Sequence, residues 1–227
     1  MDKKLIRKIL LLFTLCTFAL YAKAEGEECD FATAYHVGVS KKFAKRVELG
    51  ATESLVLDDN STRISKIYTT VDVSCAVVKK IFKVGVAYRA IGRHKNEDYF
   101  FNQRFAGYTN VKYDIQRFTI AWKSKYQMTY RPEKSEKKQW ENYWRNRLSV
   151  SMKIPHMPLY PSLSAEMYYQ TNNYKGNVID RMRYQAGLEY KINKKNSLEL
   201  YYNFSDEMNV KHPENLSLLG IAYQISF

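Results

Sequence analysis

The chain has 227 residues, with 36 Lys+Arg against 23 Asp+Glu, 45% hydrophobic and 15% aromatic residues, and only 9 Gly and 5 Pro. One domain is the default at this length, and a mean hydropathy of −0.48 excludes a bundle of membrane helices, each of which needs about 20 nearly uninterrupted apolar residues. Nineteen Tyr, 11 Phe and 3 Trp exclude a disordered chain and leave a soluble all-β domain or an outer-membrane barrel, in which a polar inner face dilutes the apolar outer one.

The N-terminus reads as a secretory signal. Lys3, Lys4, Arg7 and Lys8 precede an apolar stretch from Ile9 to Leu20, and Ala22-Lys23-Ala24 is a small-x-small cleavage site, so residues 1–24 are expected to be removed and residues 25–227 to form the mature domain. Removal takes away five basic residues and one acidic one, which leaves 31 against 22 and a net charge of +9. Thr14-Leu15 before Cys16 and Glu27-Glu28 before Cys29 lack the small residue that lipoprotein processing needs. Cys29 and Cys75 remain in an oxidising compartment, where a disulfide between them is open. His36, His94, His156 and His212 are scattered, so neither a metal site nor a cofactor is expected.

From residue 31 onward apolar and polar residues alternate with period two, the mark of strands with one dry and one wet face. The first five segments, roughly 31–40, 46–57, 64–78, 81–91 and 99–113, are noisy, and Glu53 falls on the apolar side of its segment. Next, Phe118, Ile120, Trp122, Tyr126, Met128 and Tyr130 oppose Thr119, Ala121, Lys123, Lys125 and Gln127. Leu148, Val150, Met152 and Ile154 follow, then Leu163, Ala165, Met167 and Tyr169, each set opposing polar or inward residues such as Arg147 and Glu166. Met182 to Ile192 and Leu198 to Phe204 repeat the pattern, and Leu219 to Phe227 shows it most cleanly, with a large apolar residue at every odd position. That makes about eleven segments. At about 3.3 Å per residue and a tilt near 45°, ten residues rise about 23 Å, enough to cross an outer membrane.

Short links at Lys41 to Lys45, Lys79-Lys80, Asp114 to Gln116, Pro155 to Pro161 and Asn193 to Asn196 alternate with longer polar ones. The longer links fall at Asp58 to Arg63, Gly92 to Asp98, Pro132 to Gln139, Asn172 to Asn177 and Ser205 to Asn215. Short periplasmic turns opposite longer outer loops are the barrel pattern. The expected fold is therefore an all-β, antiparallel transmembrane barrel of outer-membrane type. Because single-chain bacterial barrels have even strand counts, 12 strands are expected, with 10 as the alternative. A secreted sandwich also alternates, but its strands typically run five to six residues and nothing in it places aromatics toward both ends of the apolar face, as Phe118, Tyr126 and Tyr130 do here.

The Tyr88-Arg89 and Tyr130-Arg131 strand ends, the Trp144 to Leu148 strand start, the Ala165 to Tyr169 strand and the terminal Gly220 to Phe227 strand resemble Bacteroidota outer-membrane proteins catalogued as domain of unknown function 2490. The resemblance covers nearly the whole mature chain. It implies a monomeric outer-membrane barrel with no assigned activity and no assigned site residues.

On the inner face the alternation places Arg89, Arg104, Arg147 and Arg183 toward the long-loop side, with Arg131 and Arg145 at the rim. Glu166, Glu189, Glu199 and Asp72 share that face, mostly deeper. Two outcomes follow. Paired Arg and Glu would plug a narrow barrel, because confined charges persist only when paired and hydrogen-bonded; unpaired Arg would make a basic vestibule that attracts phosphate, sulfate or carboxylate. The functional expectation is a structural or binding barrel, or a narrow anion-preferring pore. The alternative is a lipid-modifying enzyme built on His36, near Ser40 in sequence but with no aligned acid; His94 is a weaker candidate, having no Ser beside it. Export argues against nucleic acid as a partner. Outer-membrane lipid and lipopolysaccharide phosphates are the expected partners of loops such as Glu133 to Lys138, and the barrel assembly machinery is the expected reader of the last strand through Tyr223 and Phe227.

Overall fold

The computed structural model describes residues 29–95, 98–135, 139–173, 176–210, 213 and 215–227. The expected signal sequence and part of the Glu133 to Lys138 loop lie outside the described residues. The strands are β1 (Cys29–Lys42), β2 (Val47–Asp58), β3 (Arg63–Val78), β4 (Phe82–Lys95), β5 (Asp98–Ile115) and β6 (Phe118–Tyr130). They continue as β7 (Trp140–Met152), β8 (Leu159–Gln170), β9 (Val178–Lys191), β10 (Asn196–Glu207) and β11 (Asn215–Ser226). Sequence neighbours pair antiparallel around one closed barrel, and no edge strand is left open.

The barrel closes with eleven strands, between the ten and twelve that even parity allows. An odd number of up-and-down strands leaves the first and last running the same way, so their ladder must be parallel. β1 and β11 pair in that sense from Cys29↔Asn215 to Ser40↔Ser226. A parallel ladder still satisfies the backbone groups, so closure does not require even parity. β1 therefore begins at the long-loop end.

The burial pattern is inverted relative to a soluble domain. Leu148, Leu163, Leu200, Ile221 and Trp122 point outward and are exposed, whereas Ser54, Gln127, Thr129 and Glu166 are buried inside. Lipid is the medium in which such an outer face is favourable. Aromatics ring both ends of this band, with Tyr99, Phe101 and Trp140 toward the long loops and Tyr113, Phe118 and Tyr190 toward the short turns. They sit where amphipathic rings prefer the interface.

All eleven segments read from the alternation are strands, and the departures have local causes. Two bulges leave an extra residue in β3, Ser65 opposite β2 and Val77 opposite β4, and break its period-two pattern there; another leaves Asp180 of β9 unpaired opposite Tyr168 and Tyr169. Glu53 does face outward, where it accepts a hydrogen bond from Thr69 Oγ1 at 2.5 Å. The link expected to end at Pro161 ends earlier, because β8 starts at Leu159. Pro161 pairs with Leu188 on β9, while pairing with β7 starts only at Ser162; its missing N–H falls where no β7 partner faces it. β4 runs to Lys95, so His94 is a strand residue with its ring 4.8 Å from that of Tyr99. The open disulfide does not form. Cys75 is a free thiol paired in register with Val47 and Val84 near the short turns, while Cys29 starts β1 at the other end.

The inner face of the parallel seam carries small residues, Ala32, Ala34 and Gly38 on β1 and Gly220 and Ala222 on β11. A side chain on Gly220 would put its Cβ 2.1 Å from the Tyr201 ring. The bare glycine lets Tyr201 of β10 reach over β11, placing its Oη 2.6 Å from His36 Nε2 on β1. Ser54 Oγ of β2 lies 2.7 Å from His36 Nδ1. Side chains of β10, β1 and β2 are thereby linked across β11.

Candidate functional site

Inward residues of nearly every strand enclose a chamber of about 1070 Å3 at the long-loop end. Ten Lys and Arg side chains line it against four Asp and Glu. The imbalance follows from strand alternation and register. Each inward position faces another inward position across the ladder, and several such pairs are both basic: Lys66↔Arg93 on β3 and β4, Arg89↔Arg104 on β4 and β5, and Lys125↔Arg145 on β6 and β7. Just below the chamber, Lys123↔Arg147 adds a fourth. Like charges directly opposite in a sheet are destabilising, so this wall costs stability unless something anionic meets it.

The upper rim is largely neutralised. Arg63 pairs with Asp58 at 3.1 Å, Arg131 with Glu141 at 2.8 Å, and Arg181 with Glu207. Glu133 lies 3.9 Å from Arg93, and Lys134 also contacts Glu141. Deeper, Arg145 holds Glu166 through two bonds, Nε to Oε1 at 3.1 Å and Nη2 to Oε2 at 2.7 Å. Between rim and floor the pattern changes. Arg89 Nε donates to Thr70 Oγ1 at 2.8 Å, Arg104 Nε to Thr129 Oγ1 at 2.9 Å, and Arg183 Nε to Ser205 Oγ at 3.0 Å.

Each of these hydroxyls stands directly opposite its arginine in the ladder. A neutral acceptor on Nε fixes the guanidinium without cancelling its charge. Among the described residues, Arg89, Arg104 and Arg183, with Lys66 and Lys125, lie within ion-pair distance of no carboxylate. Tyr rings support the cations: Arg89 stacks over Tyr68 at 4.3 Å, and Tyr168 has Arg145 at 4.2 Å and Arg183 at 5.2 Å from its centroid. Such stacking stabilises a cation and leaves its donors available to a ligand.

Of the four arginines singled out in the sequence, Arg89, Arg104 and Arg183 line the chamber. Arg147 sits below it, donating to Ser164 at 3.2 Å and to Gln185 at 3.2 Å. Arg145, expected at the rim, is instead deep, with its side chain 11% exposed, because β7 starts at Trp140 and carries it further into the barrel. Glu166 pairs with Arg145 diagonally rather than with Arg147 or Arg183, its register partners. Glu189 and Glu199 face each other lower down, where Gln185 donates to Glu199 at 3.4 Å, and Asp72 accepts from Tyr108 at 3.1 Å. Below the chamber the inner face mixes signs, with Lys123 and Arg147 beside Asp72, Glu189 and Glu199. Tyr223 lies on β11 opposite Val37 and Leu198, and Phe227 donates its backbone N–H to Ser40 O at 2.8 Å.

The family model described as protein of unknown function (DUF2490) matches residues 33–211, a span that runs from within β1 through β10 and holds most of the residues lining the chamber. The chain belongs to this family. No curated protein matches it. Among solved structures it is similar to the translocator domain of the autotransporter NalP from Neisseria meningitidis, at 11% identity over 77% of this chain and 72% of that one, with a TM-score of 0.36. A likeness that remote carries no argument about the site.

In this DUF2490 chain several chamber residues were not singled out from sequence. Lys66, Lys125, Tyr68 and Tyr168 line the chamber, and Ser54 and Tyr201 hold His36. The alternation does put Lys125 and Tyr168 inward. What it lacks is height: which inward residues of different strands share a level depends on the stagger of the ladder, set by the closed barrel.

Proposed function

We propose that the protein is an outer-membrane barrel whose chamber binds small anions of the phosphate, sulfate or carboxylate class at the outer, long-loop side. The observation that carries this reading is the Arg89↔Arg104 pair: two arginines directly opposed, each pinned by a hydroxyl and neither paired with a carboxylate. Guanidinium groups so fixed are preorganised to donate to the oxygens of phosphate, sulfate or carboxylate. Secretion, outer-membrane residence, a monomeric state, contact with lipopolysaccharide phosphates and recognition of the last strand by the barrel assembly machinery belong to the same reading. Inorganic phosphate added to the purified barrel should raise its unfolding temperature, and R89Q/R104Q should remove most of that rise. A barrel indifferent to phosphate and sulfate would overturn the proposal.

The Ser54–His36 contact of 2.7 Å is the one observation that favours a lipid-modifying enzyme instead. Ser54 is 1% exposed, however, and His36 is held on its other nitrogen by Tyr201, an arrangement suited to tying the seam. The enzyme reading requires altered lipid A or phospholipid in cells expressing the protein, lost in His36→Ala, which mass spectrometry of extracted lipid would reveal.

A further inference from the structure

The short-turn end carries a second concentration of positive charge, separate from the chamber. Its connections are residues 43–46, 79–81, 116–117, 153–158 and 192–195. Every one contains Lys or Arg and none contains Asp or Glu. Lys45, Lys80, Arg117, Lys153 and Lys194 represent the five turns, and all are exposed. Of the acidic side chains beside the turns, Glu48 accepts from Lys83 at 2.9 Å, and Asp114 lies 3.8 Å from Lys112 and accepts from Thr119 at 2.6 Å. The opposite end mixes signs instead, as in Asp58 with Arg63 or Glu133 near Arg93.

The placement of this ring relative to the apolar band identifies its partner. Phe43, Ile81, Phe118, Ile192 and Phe227 are large, exposed and at the last level before or beside the turns. At about 3.3 Å per residue, cations one to three residues beyond them stand where the hydrocarbon ends and lipid phosphates begin. Long Lys and Arg side chains reach that level readily, and clustered cations beside a bilayer favour anionic lipid. An acidic soluble partner would not require the cations to hug the apolar edge.

We infer that the short-turn rim is a docking surface for anionic phospholipid headgroups in the leaflet it borders. It is built from five turns acting together and does not depend on the chamber. Each turn presents a cation to a different sector of the surrounding lipid, so the barrel gathers an annulus of anionic lipid and its depth in the bilayer is set by charge as well as by the apolar band.

The test uses the full chain reconstituted in nanodiscs of phosphatidylcholine with a minority of phosphatidylglycerol, followed by native mass spectrometry of retained lipid. Phosphatidylglycerol should be enriched several-fold over its bulk share in the native protein, and K45Q/K80Q/R117Q/K153Q/K194Q should return it to the bulk share. R89Q/R104Q should leave the enrichment intact, which separates the rim from the chamber. Should the fivefold variant fail to fold, salt on the native protein decides: raising ionic strength shortens the screening length from about 30 Å at 0.01 M to about 3 Å at 1 M and should abolish the enrichment. No enrichment in the native protein, enrichment that survives both the variant and salt, or binding of poly-glutamate to the rim in preference to phosphatidylglycerol would overturn the inference.

Discussion

Arg89 and Arg104 show how one side chain serves a wall that its neighbours destabilise. Each donates Nε to a Thr hydroxyl opposite it, so the pair is held in place while the two charges repel. Replacing Arg89 with Gln in anion-free buffer should therefore stabilise the barrel, by about 0.2–1 kcal/mol, the size of an unfavourable cross-strand charge pair; urea unfolding in vesicles measures it. Lipid-facing positions follow another rule. Leu200 is outward and 45% exposed, so Leu200→Arg should cost about 2–4 kcal/mol near mid-membrane, whereas Ser149→Arg, inward where Ser149 donates to the Ala121 carbonyl at 3.3 Å, should cost much less. Glu53 is the exception on the outer face, and Glu53→Leu should raise stability, because a carboxylate in lipid is unfavourable even with Thr69 as donor.

At the scale of elements, the β1–β11 seam is the least ordinary joint. Twelve residue pairs join it in parallel, and the Tyr201–His36–Ser54 chain crosses it. Gly220→Ala should disturb that chain, because its Cβ would overlap the Tyr201 ring, whereas Gly107→Ala, with nothing within 4 Å, should be nearly neutral. Heat-modifiable gel mobility compares the two: the Gly220 variant should lose its folded band at a lower temperature. Deleting Tyr223 to Phe227 removes the last third of β11, which meets Val37 to Ser40, and the Phe227 bond to Ser40. The truncated chain should not reach a heat-modifiable state. Assembly of that truncation at the native level would show that the seam tolerates an open end.

For the whole molecule, the excess of cations in the chamber bears on how the lumen behaves toward ions. The ten cations lining the chamber, set above the Glu189↔Glu199 pair, favour anions at the long-loop end. Eleven strands fall between filled eight-stranded barrels and open 16-stranded porins. Any current in planar bilayers should therefore be small and anion-preferring, and substituting Gln for Arg89, Arg104, Arg147 and Arg183 should abolish the preference. A cation-preferring native current would contradict the role given to the chamber.

Period-two alternation from Phe31 to Phe227 marked eleven strand segments and the inward side of Arg89, Arg104, Arg147 and Arg183, because side-chain direction along a strand is a local property; strand length, the alternation of short and long links and the placement of aromatics were needed to choose a barrel over a sandwich. The family resemblance, read from short strand fragments, also agreed with the family match. Closure was not local. Parity pointed to an even count, and only the pairing of β1 with β11 showed that a parallel ladder takes the place of a twelfth strand. Diagonal partners on neighbouring strands were equally out of reach. Glu166 meets Arg145 and leaves Arg183 free of a carboxylate because the stagger of neighbouring strands sets which inward side chains share a height, and stagger exists only once the barrel has closed.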